Sequence, residues 1–286
     1  MAAQHRVVDS HLHLWELGDG NYEWLGPQYG VINRSFDHTE AESALAGTPV
    51  DDVILVQADD TRADTQAMLA AADAWPRVAG IVAWAPLRHP AGLDETLERF
   101  ADEPRIVGIR HLIHEEKDAD WLLRSDVDNG LAALAAAGLT FDVVAVLPRH
   151  LEHVSTIAAR HPDLRVVIDH LAKPAIEAGD WQPWADLIAT AASFPNVSAK
   201  LSGLDTAAGK DKNTAAKIAP YVEHALGHFG ANRIMFGSDW PVDLLAGGYD
   251  AWWATVDQLV SGLSPDEAAA ILGDTAREIY GLRVTA

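Results

Sequence analysis

Residues 6–15 read RVVDSHLHLW, a β-branched apolar run that passes into a segment carrying His11 and His13 and stops at Trp15. Such a run, followed by alternating polar and apolar positions, predicts a strand over Val7–Leu12. Runs of the same kind recur at Val53–Gln57, Val78–Trp84, Ile106–Leu112, Leu139–Val144, Val166–His170, Val197–Leu201 and Ile234–Ser238. Between them lie alanine-rich segments with helical apolar spacing, among them Thr65–Trp75, Val127–Ala137, Leu151–Arg160, Trp184–Ser193 and Ala216–Phe229. Eight strands, each followed by a helix, predict an α/β fold: a single (β/α)8 TIM barrel whose strand ends leading into helices carry the chemistry.

The 286 residues suit one such barrel, which typically needs about 250, so residues 1–286 are read as one domain. Punctuation agrees with this parsing: Pro148, Pro162 and Pro195 flank segments, Gly138 follows a helix, and Ser264–Glu267 (SPDE) reads as a capped helix start. The segment Leu14–Asp37, which contains WELGDGNYEWLGPQYG, has no periodicity and directly follows the first strand, so it is expected to form a long loop over the site.

Composition narrows the function. The chain is 49% hydrophobic and 22% charged without a long uncharged apolar run, which excludes a membrane-spanning helix on hydropathy grounds. MAAQHRVVD leads straight into the first strand with no secretory pattern, and cysteine is absent, so a cytoplasmic protein without disulfides or thiolate metal ligands is expected. The net charge of -21 is scattered along helical stretches such as LDETLERFADEP, as on a solubilising surface. The longest basic feature, GKDKNTAAK, is short and interrupted, so no nucleic-acid partner is expected. Neutral or weakly charged small molecules fit best.

Four side chains fall at the productive ends of strands: His11 and His13, His170 and Asp239. Alternation along a strand places Asp9, His11 and His13 in one column. Three imidazoles and a carboxylate suit either one divalent cation or the polarisation and hydrolysis of an ester carbonyl without one. Arg110 and His111 are neighbours on a strand, so one of them faces the site, and Arg110 is preferred. Lys200 and Trp15 complete the candidate substrate-binding set, Trp15 because an indole face covers the apolar face of a sugar ring. His224 and His228 have helical i, i+4 spacing without the order of a zinc-protease helix, and are read as surface residues.

HLHLW at the amino terminus, GIRH at Gly108–His111, DHLAKP at Asp169–Pro174, KLSGL at Lys200–Leu204, FGSDWP at Phe236–Pro241 and the final ILGDTAREIYGL together resemble the amidohydrolase-related, metal-dependent TIM-barrel hydrolases of the amidohydrolase superfamily. Within that family the chain resembles sugar lactonases of the L-fuconolactonase and L-rhamnono-lactonase type. The resemblance implies hydrolysis of a small-molecule lactone, with His11, His13, His170 and Asp239 holding one divalent metal, zinc first, or acting metal-free. Asp239 is then the base, with His170 and the other imidazoles drawing charge onto the carbonyl oxygen. Two-metal relatives carry a bridging Lys or Glu on strand four and a histidine on strand five; this chain offers Arg110, His111 and Asp142 there, so a binuclear centre is not expected. A metal-dependent decarboxylase of an aromatic or muconate-type acid, anchored by Arg110 and Lys200, and a non-catalytic sugar-acid-binding barrel are the alternatives.

Overall fold

A computed structural model describes residues 5–18, 22–209 and 215–282; within the basic stretch 209–217, residues 210–214 lie outside the described residues. Eight parallel strands pair in sequence order: β1 Val7–Leu12, β2 Val50–Val56, β3 Val78–Ala83, β4 Ile106–His111, β5 Thr140–Val143, β6 Val166–Ile168, β7 Val197–Leu201 and β8 Ile234–Phe236. A parallel bridge between Leu12 and Trp240 joins the last strand's extension to the first, giving the barrel. Helices at His38–Leu45, Arg62–Ala74, Pro90–Ala101, Ser125–Ala137, Pro148–Arg160, Trp184–Ala192, Ala215–Phe229 and Tyr249–Val260 form the outer layer.

Local chemistry sets these boundaries. Asp37 accepts from the Thr39 and Glu40 amides and Thr61 from the Asp64 amide, so both satisfy orphan N–H groups at helix starts. Ser264 and Glu267 make a reciprocal capping box, and Gly138 ends its helix in the left-handed region at φ 73°. β2 starts three residues before the apolar run because Asp52 is paired by Arg6 at 2.7 Å and by Arg277. β6 and β8 end earlier than their apolar runs, at Ile168 and Phe236; just beyond them His170 and Asp239 adopt left-handed φ values of 55° and 63°. No helix among the described residues is long and apolar enough to cross a membrane.

The barrel interior is layered. Val8, Ile54, Val56, Val82, Val167 and Met235 form an apolar cluster, capped by Tyr280 and Leu282. Gly108 lies in this wall because a Cβ there would come within 2.1 Å of Thr140 Oγ1. Above the apolar cluster sits a buried ionic layer. Lys200 Nζ lies 2.6 Å from Asp142 Oδ2 and 3.2 Å from Asp169 Oδ1, and the Tyr280 hydroxyl donates to Asp142 Oδ2 at 2.6 Å. The expectation that Lys200 meets substrate is therefore corrected: its side chain is fully buried beneath the site, committed to two carboxylates.

Removing one member of a buried ionic set strands its partners without solvent. Lys200→Met is expected to destabilise the fold by about 3–5 kcal/mol, read as a lowered urea midpoint with an unchanged slope.

Candidate active site

The site stands where β1, β6 and β8 run out. The Asp239 amide donates to the His11 carbonyl at 2.8 Å and the His13 amide to the Trp240 carbonyl at 2.7 Å, so the seam between first and last strands carries three of the four flagged residues. The predicted Asp9 column is corrected here. The pairing of β1 with β2 is irregular between Asp9 and Leu12, and Asp9 turns to the outer layer, accepting from Tyr249 Oη at 2.9 Å and from the His11 and Ser238 amides. His11 and His13 face inward without it.

His170 reaches the site through an unusual backbone. His170, Leu171, Ala172 and Lys173 all have left-handed φ values of 55°, 47°, 61° and 47°, and the turn is closed by the Lys173 amide on the His170 carbonyl at 2.8 Å. Each non-glycine residue in this region costs roughly 1–2 kcal/mol, so the run persists only because its surroundings enforce it. Trp184 Nε1 donates to the Leu171 carbonyl at 2.7 Å, anchoring the turn to the helix layer. Asp239 is also left-handed, at φ 63°. Gly203 abuts both, and a Cβ there would lie 2.8 Å from His170 Nδ1 and 2.9 Å from Asp239 Oδ2.

Four side chains converge. Asp239 Oδ1 lies 3.6 Å from His11 Nε2, 3.4 Å from His13 Nε2 and 3.9 Å from His170 Nε2, and the His11 and His13 Nε2 atoms are 3.1 Å apart. The opposite ring nitrogens are held from behind: His13 Nδ1 by the Val56 carbonyl at 2.7 Å, His11 Nδ1 by Asp169 Oδ1 at 3.2 Å, and His170 Nδ1 by Ser202 Oγ at 2.8 Å. A carbonyl only accepts, which places the His13 proton on Nδ1 and turns a bare Nε2 lone pair inward, whereas His11 Nδ1 meets both the Lys200 ammonium at 3.0 Å and Asp169. Burial lowers the proton affinity of all three imidazoles, His170 to about 3, with Lys200 adding to the effect at His11. Burial alone raises Asp239, yet His170, His13 and Lys173 hold it below the usual carboxylate range.

Ring nitrogens and an ionised carboxylate facing one another at these separations fit a cation among them. Ligand distances of about 2.0–2.1 Å to a tetrahedral zinc put donors roughly 3.3 Å apart, close to what the side chains present. Donor atoms of His11, His170 and Asp239 all lie within 4.8 Å of one another. Partners behind the ligating imidazoles are also typical of metal sites. A second ion has no such seat beside strand five, where the Lys200 ammonium fills the space between Asp142 and Asp169.

Above this floor opens a cavity of about 230 Å3, walled by Trp24, Tyr29, Arg110, His114, Lys173 and Val144 among others. Arg110 is the inward member of its pair: its Nη1 donates to Asp169 Oδ2 at 3.0 Å and lies 3.3 Å from His11 Nε2, and Nη2 donates to the Gln57 carbonyl. His111 turns away, stacked on Trp121 at 4.1 Å and bonded to Glu116. Trp15 is not in the cavity wall. It is 2% exposed, its Nε1 donates to the Arg34 carbonyl, and it packs against Trp24 and Phe36, lining instead a separate outer pocket with His38 and Ala71. The bulge in β1 and the loop's own path put Trp24 and Tyr29 where Trp15 was expected. His224 bonds the Ala185 carbonyl and packs on Trp181 and Trp184, away from the site.

Known proteins are similar to this chain over nearly its whole length. The L-fucono-1,5-lactonase of Burkholderia ambifaria is 35% identical over 277 residues, 96% of this chain and 94% of that protein. An L-fucono-1,5-lactonase of Burkholderia multivorans is 34% identical, with 96% of each chain covered. The crystal structure of an amidohydrolase from Burkholderia multivorans with bound Zn superposes with a TM-score of 0.90 at 33% identity, over 97% of this chain and 100% of that one. The pattern of the family described as Amidohydrolase matches residues 8–282, which take in all but the first residue of the eight strands and the whole His/Asp floor, and the chain belongs to that family.

Proposed function

We propose that the chain hydrolyses a sugar lactone to its hydroxy acid. The observation that carries this reading is the Asp239 carboxylate set among three inward imidazoles on the floor of a small cavity. The lactonase relatives support it. The cavity's size does too, being below the roughly 300–1,000 Å3 common for drug-sized ligands and suited to a single ring.

Trp24 and Tyr29, edge to face at 5.5 Å, offer the apolar wall that a sugar ring lies against, while His114 and Glu115 supply polar contacts at the rim. A substrate carbonyl over the floor has the histidines beside its oxygen, where negative charge develops. Asp239 accepts a proton from the attacking water. The surroundings that keep Asp239 ionised also make its protonated form a strong donor, so it returns the proton readily to the ring oxygen as the carbon–oxygen bond breaks. His11, His170 and Asp239, with His13, would hold one divalent cation, zinc by likeness to the Burkholderia multivorans structure, and such an ion supplies Lewis-acid polarisation of the carbonyl.

A decarboxylase needs free cationic anchors for the substrate carboxylate. Arg110 is already committed to Asp169 and the Gln57 carbonyl, Lys200 is sealed below the floor, and Lys173 is held between Asp239 and Thr206, so the site favours the lactone reading.

On a panel of aldonolactones followed by acid release with a pH indicator, rapid turnover of one stereochemical set is expected; silence across the panel would sink the proposal. Asp239→Asn is expected to lower kcat by about 10²–10⁴-fold with native circular dichroism, and retention of a tenth of the activity would remove Asp239 from the base role. Trp24→Ala is expected to raise KM about tenfold with kcat nearly unchanged. Elemental analysis of protein purified without chelator should find about one zinc per chain, lost in His11→Ala; a fully active metal-free protein would leave polarisation to the histidines alone.

A further inference from the structure

The two oxygens of Asp239 see different surroundings. Oδ1 faces the three imidazoles, while Oδ2 lies 3.8 Å from Lys173 Nζ and beside the bare Cα of Gly203. Lys173 owes this place to the left-handed turn, which is closed from its amide to the His170 carbonyl. Positions three apart in such a turn share a face, so His170 approaches one carboxylate oxygen at 3.9 Å and Lys173 the other. The ammonium is held on its other side by Thr206 Oγ1 at 3.2 Å, and Thr206 in turn donates to the Gly203 carbonyl at 2.9 Å. The loops after β6, β7 and β8 are thereby tied together around one carboxylate.

We propose that Lys173 is a positioning residue that divides the two oxygens of Asp239 between two tasks. It holds Oδ2 off the histidine cluster, leaving Oδ1 there and turning Oδ2 to the cavity as hydrogen-bond acceptor for the attacking water. The proposal rests on the reading of Asp239 given above. Without the ammonium, no other cation among the described residues pairs with Oδ2 to oppose rotation of the carboxylate until both oxygens face the imidazoles and any ion they hold. A strained turn of four non-glycine residues is the means of delivering this charge, since an extended continuation would put residue 173 on the opposite face from His170.

Two measurements on Lys173→Met test this. In lactone turnover, kcat should fall at least tenfold while KM stays within threefold, and Lys173→Arg should recover part of the loss. In competition with a chromophoric chelator, metal-stripped Lys173→Met should bind Zn2+ at least as tightly as the parent, because a neighbouring positive charge has gone and a second carboxylate oxygen has become free to join. A merely structural role moves zinc the other way, since a damaged turn misplaces His170. A kcat that falls less than tenfold, a loss lying in KM, no recovery with Arg, or zinc bound more weakly would each overturn the proposal. If the parent turns over no lactone, the functional reading fails while the zinc titration still decides on Lys173. Should Lys173→Met fail to fold, Lys173→Gln carries the same two measurements.

Discussion

Two backbone hydrogen bonds, from the Asp239 amide to the His11 carbonyl and from the His13 amide to the Trp240 carbonyl, close the barrel and assemble the site in one act. They join positions more than two hundred residues apart, so the site does not exist until the whole chain has threaded its eight strands. The irregularity between Asp9 and Leu12 belongs to the same seam: it turns Asp9 outward to Tyr249 and lets the two histidines converge on Asp239. Closure by long-range pairing is slow in folding terms, because loop entropy is lost before contacts repay it.

Beneath the seam, charge is arranged in depth. Tyr280 and Lys200 satisfy Asp142; Arg110 donates to Asp169 Oδ2, with Lys200 3.2 Å from Oδ1; Lys200 and Asp169 together flank His11 Nδ1. Burial opposes the ionisation of Asp169, yet Lys200, His11 and Arg110 hold it well below the usual carboxylate range. Each group in the column thus fixes the hydrogen-bonding state of the one above, which is the kind of preorganisation that keeps a polar floor rigid in a low-dielectric interior.

Much of this was legible in sequence because it rests on local rules. β-branched runs alternating with alanine-rich segments marked every strand, Gly138 and Ser264–Glu267 marked helix ends, and His11, His13, His170 and Asp239 stood at strand ends where a parallel barrel places its chemistry. What was not legible depends on backbone departures or distant partners. Period-two alternation wrongly grouped Asp9 with His11 because a bulge leaves no sure mark in composition. Lys200 read as a substrate contact because nothing local shows that Asp142 and Asp169 lie across the barrel from it. Trp15 is singled out in sequence for an indole that could cover a sugar ring, whereas the path of an aperiodic loop puts Trp24 at the cavity instead. Lys173 stood in the quoted DHLAKP, but a left-handed turn of ordinary residues is not something those residues announce.

The segment that walls the cavity is fastened apart from the floor. Tyr22 Oη donates to Asp64 and Trp24 Nε1 to the Ala58 carbonyl, both in or after the loop that follows β2, while none of these bonds touches His11, His170 or Asp239. Evolution can therefore exchange the aromatic wall, by substitution or by insertion, without disturbing the reacting groups. A barrel built this way separates what is recognised from what is done to it, and new substrate preferences can arise in it as a change of one loop.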